Sequence, residues 1–129
     1  MIAVDTNVLI RFLTADNAQQ SKKSRALFRE NEVWLSRTVL LETEWVLRGA
    51  YKFKKESVNK ALASLVQMEG VEVEDHTQVT EALMLHRSGW DFADALHVVA
   101  CPPDITAFYS FDRRLTKKKL VSPLLKNPK

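Results

Sequence analysis

The chain predicts an α/β fold, a parallel sheet of four to five short strands flanked by helices. Short apolar runs recur along the sequence at Met1-Ile2-Ala3-Val4, Val33-Trp34-Leu35, Val71-Glu72-Val73 and Ile105 to Ser110, each strand-sized and none helix-sized. Between them lie stretches whose apolar residues repeat every three or four positions, the period of an amphipathic helix. Strands that alternate with helices are joined by crossovers, which set neighbouring strands parallel and cover the sheet. At 129 residues and 46% hydrophobic composition, the chain can bury one core and is too short for two ordinary domains. Residues 1–129 therefore read as a single domain.

The first strand, Met1 to Val4, ends on Asp5-Thr6-Asn7, and Asn7 to Thr14 follows as a short helix carrying Val8, Leu9, Phe12 and Leu13. Asp16-Asn17 caps a second helix from Ala18 to Glu30. After the strand at Val33, Ser36 caps a helix that runs through Leu41, Trp45 and Leu47 until Gly49 ends it. Lys54-Lys55-Glu56 opens the next, with Val58, Leu62, Leu65 and Met68 on one face and Gly70 beyond its end. Asp75-His76-Thr77-Gln78 has the spacing of a capping box, and its helix passes Val79, Leu83 and His86 before Gly89 closes it. Asp91 starts the following helix, which Pro102-Pro103 cannot continue. The strand from Ile105 to Ser110 precedes Asp112, and the basic stretch Lys117-Lys118-Lys119 leads to a last short strand near Leu120-Val121.

Composition narrows the chemistry. The longest apolar runs are a few residues, far below the roughly 20 that span a bilayer. The N-terminus has no basic region and meets a charge at Asp5, unlike an export signal, so a cytoplasmic protein is expected. One cysteine, Cys101, forms no internal disulfide and, with no Cys or His cluster nearby, no cysteine zinc site. The net charge is +3 and the isoelectric point about 9.1. If four of the 16 acids gather in one internal site, the 19 Lys and Arg dominate the remaining surface. An acidic pocket in a basic surface suits a polyanion held near divalent cations.

Four acids stand where such a pocket would form. Asp5 lies behind the first strand, and ligands of open α/β sheets bind at the carboxyl ends of strands. Asp112 repeats that setting behind a later strand of the same sheet. Glu42 shares a helix with Glu44, and spacing separates them. Glu44 has Arg48 four residues on and reads as a solvated surface pair. Glu42 has Thr38, Val39, Trp45 and Val46 as helical neighbours, an apolar setting without a cation, where an ionised carboxylate needs a compensating charge. Asp94 shares a helix start with Asp91, and two carboxylates so close raise each other's pKa unless a cation lies beside them. Each acid also has a plain structural explanation. Asp5, Asp91 and Asp112 are good N-caps, and His97 reads as structural.

MIAVDTNVLIRFL, TVLLETEWVLR, DFADALH and SFDRRL together resemble the PIN-domain ribonucleases, specifically the VapC-like toxins of toxin-antitoxin pairs, over nearly the whole chain. The resemblance implies a PIN-like (Rossmann-like) domain that binds Mg²⁺ or Mn²⁺ through Asp5, Glu42, Asp94 and Asp112, with Asp91 as a frequent extra ligand, and hydrolyses RNA. It also implies a cognate antitoxin protein and a homodimer. Oxygen ligands suit such hard cations. Thr6 and Ser110 offer hydroxyls to position water or phosphate, and Lys52 to Lys55 and Arg113 to Lys119 offer charge to an RNA backbone. Where family members carry a small-residue helix extension and a Gly-containing loop, this chain has Cys101-Pro102-Pro103-Asp104. That loop sets Asp112 relative to Asp94.

Two other functions compete. Phosphatases of the haloacid-dehalogenase type also begin with a strand-terminal Asp but need a second Asp two residues on, where this chain has Asn7. A non-catalytic RNA-binding or partner-binding module would keep the acids as helix caps only, and Mg²⁺ or Mn²⁺ would then leave its melting unchanged.

Overall fold

A computed structural model describes residues 1–128, in an α/β arrangement. In chain order the elements are β1 (Ile2–Ala3), α1 (Thr6–Leu13), α2 (Ala18–Glu30), β2 (Val33–Leu35), α3 (Arg37–Gly49), α4 (Lys55–Val66), β3 (Val71–Val73), α5 (His76–Arg87), α6 (Phe92–Val99), β4 (Phe108–Tyr109), α7 (Arg113–Thr116) and β5 (Leu125–Lys126), with a 3-10 turn at Lys117–Leu120 between the last two. Every strand pairing is parallel.

The strands form two sheets among the described residues, β1-β2-β3 and β4-β5. The expected common sheet beneath Asp5 and Asp112 is thus not formed. The reason is local. Of the run Ile105 to Ser110 only Phe108–Tyr109 is strand, and the N–H groups of Phe108 and Ser110 donate to Leu124 O (2.7 Å) and Lys126 O (2.9 Å). Its partner β5 lies beyond the Leu120-Val121 segment expected to be the last strand. Lys117–Leu120 instead turns as 3-10 helix.

Side chains explain most helix starts. Asp5, Asn17, Ser36, Asp91 and Asp112 each accept a backbone N–H of the first turn of the helix that follows. Asp75 does not cap α5. Its backbone is left-handed (φ 51°), its carboxylate lies 3.5 Å from Arg37 Nη2, and Gln78 accepts from Arg37 Nη1 at 2.7 Å. Arg37 therefore takes both members of the expected capping box, because a guanidinium outcompetes a neutral amide for a carboxylate.

The core gathers the inward face of β2 (Val33, Leu35) with Leu40 and Leu47 of α3, Val58, Leu62 and Leu65 of α4, Val79 and Ala82 of α5, and Phe92 and Ala95 of α6. Trp90 is buried with them. Helix α4 ends at Val66, so Met68 lies outside it and is exposed. No described helix is long and apolar enough to cross a membrane.

Candidate active site

The loops that start α6 and α7 bring three of the acids together. Asp91 caps α6 through Oδ1, which accepts the Asp94 N–H at 3.1 Å. Asp94 lies in the first turn of that helix, and Asp112 caps α7 by accepting Arg114 N at 2.9 Å. The Ser110 hydroxyl accepts from Asp112 N at 3.0 Å, which fixes the turn. All three carboxylates line a recess of about 390 Å³, and Arg48, Lys55 and Lys118 line it too.

Electrostatics differ within this group. Burial first, then the charges of Asp91 and Asp112, raise the Asp94 pKa above the usual carboxylate range, and His97 and Arg114 offset this only in part. Asp112 goes the other way, held low by the Arg114 backbone N–H first, against a smaller effect of burial. Asp94, unlike Asp112, therefore sits where its surroundings disfavour the charged form.

Glu42 stands in a neighbouring recess of about 320 Å³ that shares Asp91 and Arg48 with the first. Its Oε1 accepts from the Thr6 hydroxyl. Asp5, whose Oδ1 accepts Val8 N at 3.0 Å, borders neither recess and reaches the site through that adjacent Thr6. Recess lining and one hydrogen bond link the five acids stepwise: Asp112, Asp94 and Asp91 share one recess, Asp91 and Glu42 the next, and Asp5 adjoins Glu42 only through Thr6. Among the described residues no group of three or more His, Cys, Asp or Glu side chains stands close enough to hold an ion. The donor chemistry does fit a hard divalent cation, being oxygen only with surplus negative charge at Asp94. Asp5 and Asp91 each spend Oδ1 on a cap and keep Oδ2 without a partner among the described residues.

The expected surroundings of the two glutamates on α3 are reversed in the structure. Glu42 is the exposed one, on the rim of its recess. Glu44 is the buried one, at 2% exposure, and is far from a solvated surface pair. Burial pushes its pKa up, but the His86 contact and Arg48 together bring it below the ordinary value. The signal was in the sequence: Leu40, Thr43, Glu44 and Leu47 share the inward face of α3 by helical period, and all four are buried.

Two cations of the basic segments named in the sequence, Lys55 and Lys118, line the recess of the acids, anchored by contacts to Trp90. Lys55 donates to Trp90 O at 2.6 Å, and Lys118 stands 5.9 Å from the Trp90 ring centre. These contacts cross between elements distant in sequence, so no local pattern marks them. A larger recess, about 780 Å³, lies elsewhere, against Asn59, His86 and Arg87, and meets the carboxylate recess at Lys55 and Gly89.

A family model described as PIN domain matches residues 2–120. No curated protein matches the chain.

Proposed function

The chain belongs to the PIN-domain family, whose members are generally nucleases, and on that premise we propose a Mg²⁺- or Mn²⁺-dependent endoribonuclease, the toxin of a VapBC-type toxin-antitoxin pair. The observation that carries this reading is Asp94, part-buried and pressed by the charges of Asp91 and Asp112 in a recess that cations also line. A carboxylate in that position is stabilised by whatever cation comes to it.

In this reading Asp5, Glu42, Asp94 and Asp112 hold the ion, with Asp91 beside them. What a divalent cation supplies at such a site is acidified water and shielding of charge on the leaving oxygen. The chain's own groups do the positioning. Capping bonds fix the rotamers of Asp5, Asp91 and Asp112, and Thr6 holds Glu42 against the start of α1. Arg48, Lys55 and Lys118 draw the phosphate backbone of an RNA strand across the acids. The apolar side of the Glu42 recess, with Leu41, Trp45 and Ala93, is where an antitoxin helix would cover the acids. Homodimerisation belongs to the same reading.

The competing reading, a binding module without catalysis, is favoured by one observation: Asp5, Asp91 and Asp112 all serve as caps, and among the described residues no three acids stand close enough to hold an ion. Two measurements separate them. Cleavage of an oligoribonucleotide is expected in Mg²⁺ or Mn²⁺, to stop with EDTA, and to disappear in Asp5→Asn; a fully active Asp5→Asn protein removes the proposed chemistry. Mn²⁺ at about 100 times its dissociation constant is expected to stabilise the fold by about 2.7 kcal/mol. Melting that ignores Mn²⁺ selects the binding module.

A further inference from the structure

We propose that Arg48 contacts the substrate phosphate in the carboxylate recess, held there by a buried chain of Glu44, His86 and Asn59; the proposal deepens the nuclease reading and rests on it. The chain starts in the core. Asn59 Nδ2 donates to Leu83 O at 2.9 Å, which sets the orientation of the amide, and to His86 Nδ1 at 2.8 Å. An accepting Nδ1 leaves the imidazole proton on Nε2. That nitrogen lies 3.4 Å from Glu44 Oε2, within ion-pair reach, and has no hydrogen-bond partner among the described residues.

Glu44 in turn grips one edge of the Arg48 guanidinium, with Nε donating to Oε2 at 2.8 Å and Nη2 reaching Oε1 at 3.5 Å. Nη1 has no partner among the described residues. The Arg48 side chain is 38% exposed and lines both the Asp91-Asp94-Asp112 recess and the Glu42 recess. Its Glu44-facing edge is anchored, and the residue lines the recess of Asp91, Asp94 and Asp112. Stability alone does not account for this arrangement, since a buried ion pair adds little over apolar packing of similar volume. Placement does account for it. A guanidinium fork matches two phosphate oxygens, and one fixed before the substrate arrives loses less rotamer freedom on binding.

The test uses Arg48→Lys, Glu44→Gln and the double Glu44→Gln/Arg48→Gln. Removing Arg48 alone strands a buried carboxylate and endangers the fold, whereas the double variant removes both charges and leaves an amide oxygen at position 44 for His86 to donate to. Binding of a fluorescent oligoribonucleotide is measured by anisotropy in EDTA, cleavage kinetics in Mn²⁺, and melting for each protein. The double variant is expected to melt near the parent yet bind about tenfold more weakly, the size of one charge-assisted contact. In Arg48→Lys and Glu44→Gln, KM is expected to rise more than kcat falls. A double variant that melts, binds and cleaves like the parent overturns the proposal. A parent that binds the oligonucleotide but never cuts it removes the nuclease reading, and Arg48 is then decided on binding alone.

Discussion

Asp94 is the residue where stability and function pull in opposite directions. Its carboxylate loses water by burial and meets the charges of Asp91 and Asp112, so the folded protein tolerates it against the preference of the surroundings. Asp94→Asn keeps the shape and removes the charge. It is expected to abolish cleavage while raising stability by about 1 kcal/mol, or about 4 °C in Tm, as commonly happens when a strained site residue is neutralised. Calorimetric melting beside a cleavage assay checks both signs, and a drop in Tm contradicts the charge argument. At this scale the cap positions of Asp5, Asp91 and Asp112 were legible in the sequence, because strand ends and helix starts carry them. Their environments were not. Pairing Glu44 with Arg48 by spacing alone missed that the two sit in different surroundings, one buried and one rimming a recess. The same spacing credited Glu42 with an apolar setting although its side chain reaches solvent and Thr6.

Between elements, the joint from α1 to α2 is tied to the loop after α3 by one carboxylate. Asp16 accepts from Tyr51 Oη at 2.7 Å, from Arg11 Nη1 at 2.8 Å and from Thr14 Oγ1 at 2.8 Å. The Tyr51 hydrogen bond first, then Arg11 and Thr14, pull its pKa from 3.8 down to about 2. The unfolded chain binds the proton more readily, so this contribution is complete above pH 3.8 and fades as pH falls toward about 2. Asp16→Asn is expected to flatten the acid limb of a Tm-against-pH curve in that window and to leave the shape above it unchanged. Gly89 is the other joint, at the wall common to the two recesses, with φ +112°. A Cβ there meets nothing within 4 Å, so Gly89→Ala costs only backbone strain, about 1–3 kcal/mol by urea denaturation. Helices were legible at this scale since period and caps are local: α2 and β2 fall where their patterns put them. The β4-β5 pairing was not, because two-residue strands carry no period and their partners are chosen by tertiary contact.

Across the whole molecule the net charge is +3, while Asp91, Asp94 and Asp112 share one recess with Arg48, Lys55, Arg114 and Lys118. The acids come from segments far apart in the chain, around α1, α3, α6 and α7, so only the fold reveals which of them share a recess. That arrangement predicts how binding responds to salt. Single-stranded RNA binding releases roughly 0.7 counterion per phosphate neutralised, which sets the slope of log affinity against log salt. Lys118 lines the carboxylate recess, and Lys23 of α2 lines none of the recesses described. Measured by anisotropy in EDTA from low to physiological salt, Lys118→Gln is expected to reduce the slope by about 0.7 and Lys23→Gln to leave it unchanged. Equal reductions from the two would mean that RNA meets a diffuse basic surface, and the carboxylate recess would then have no privileged place in binding.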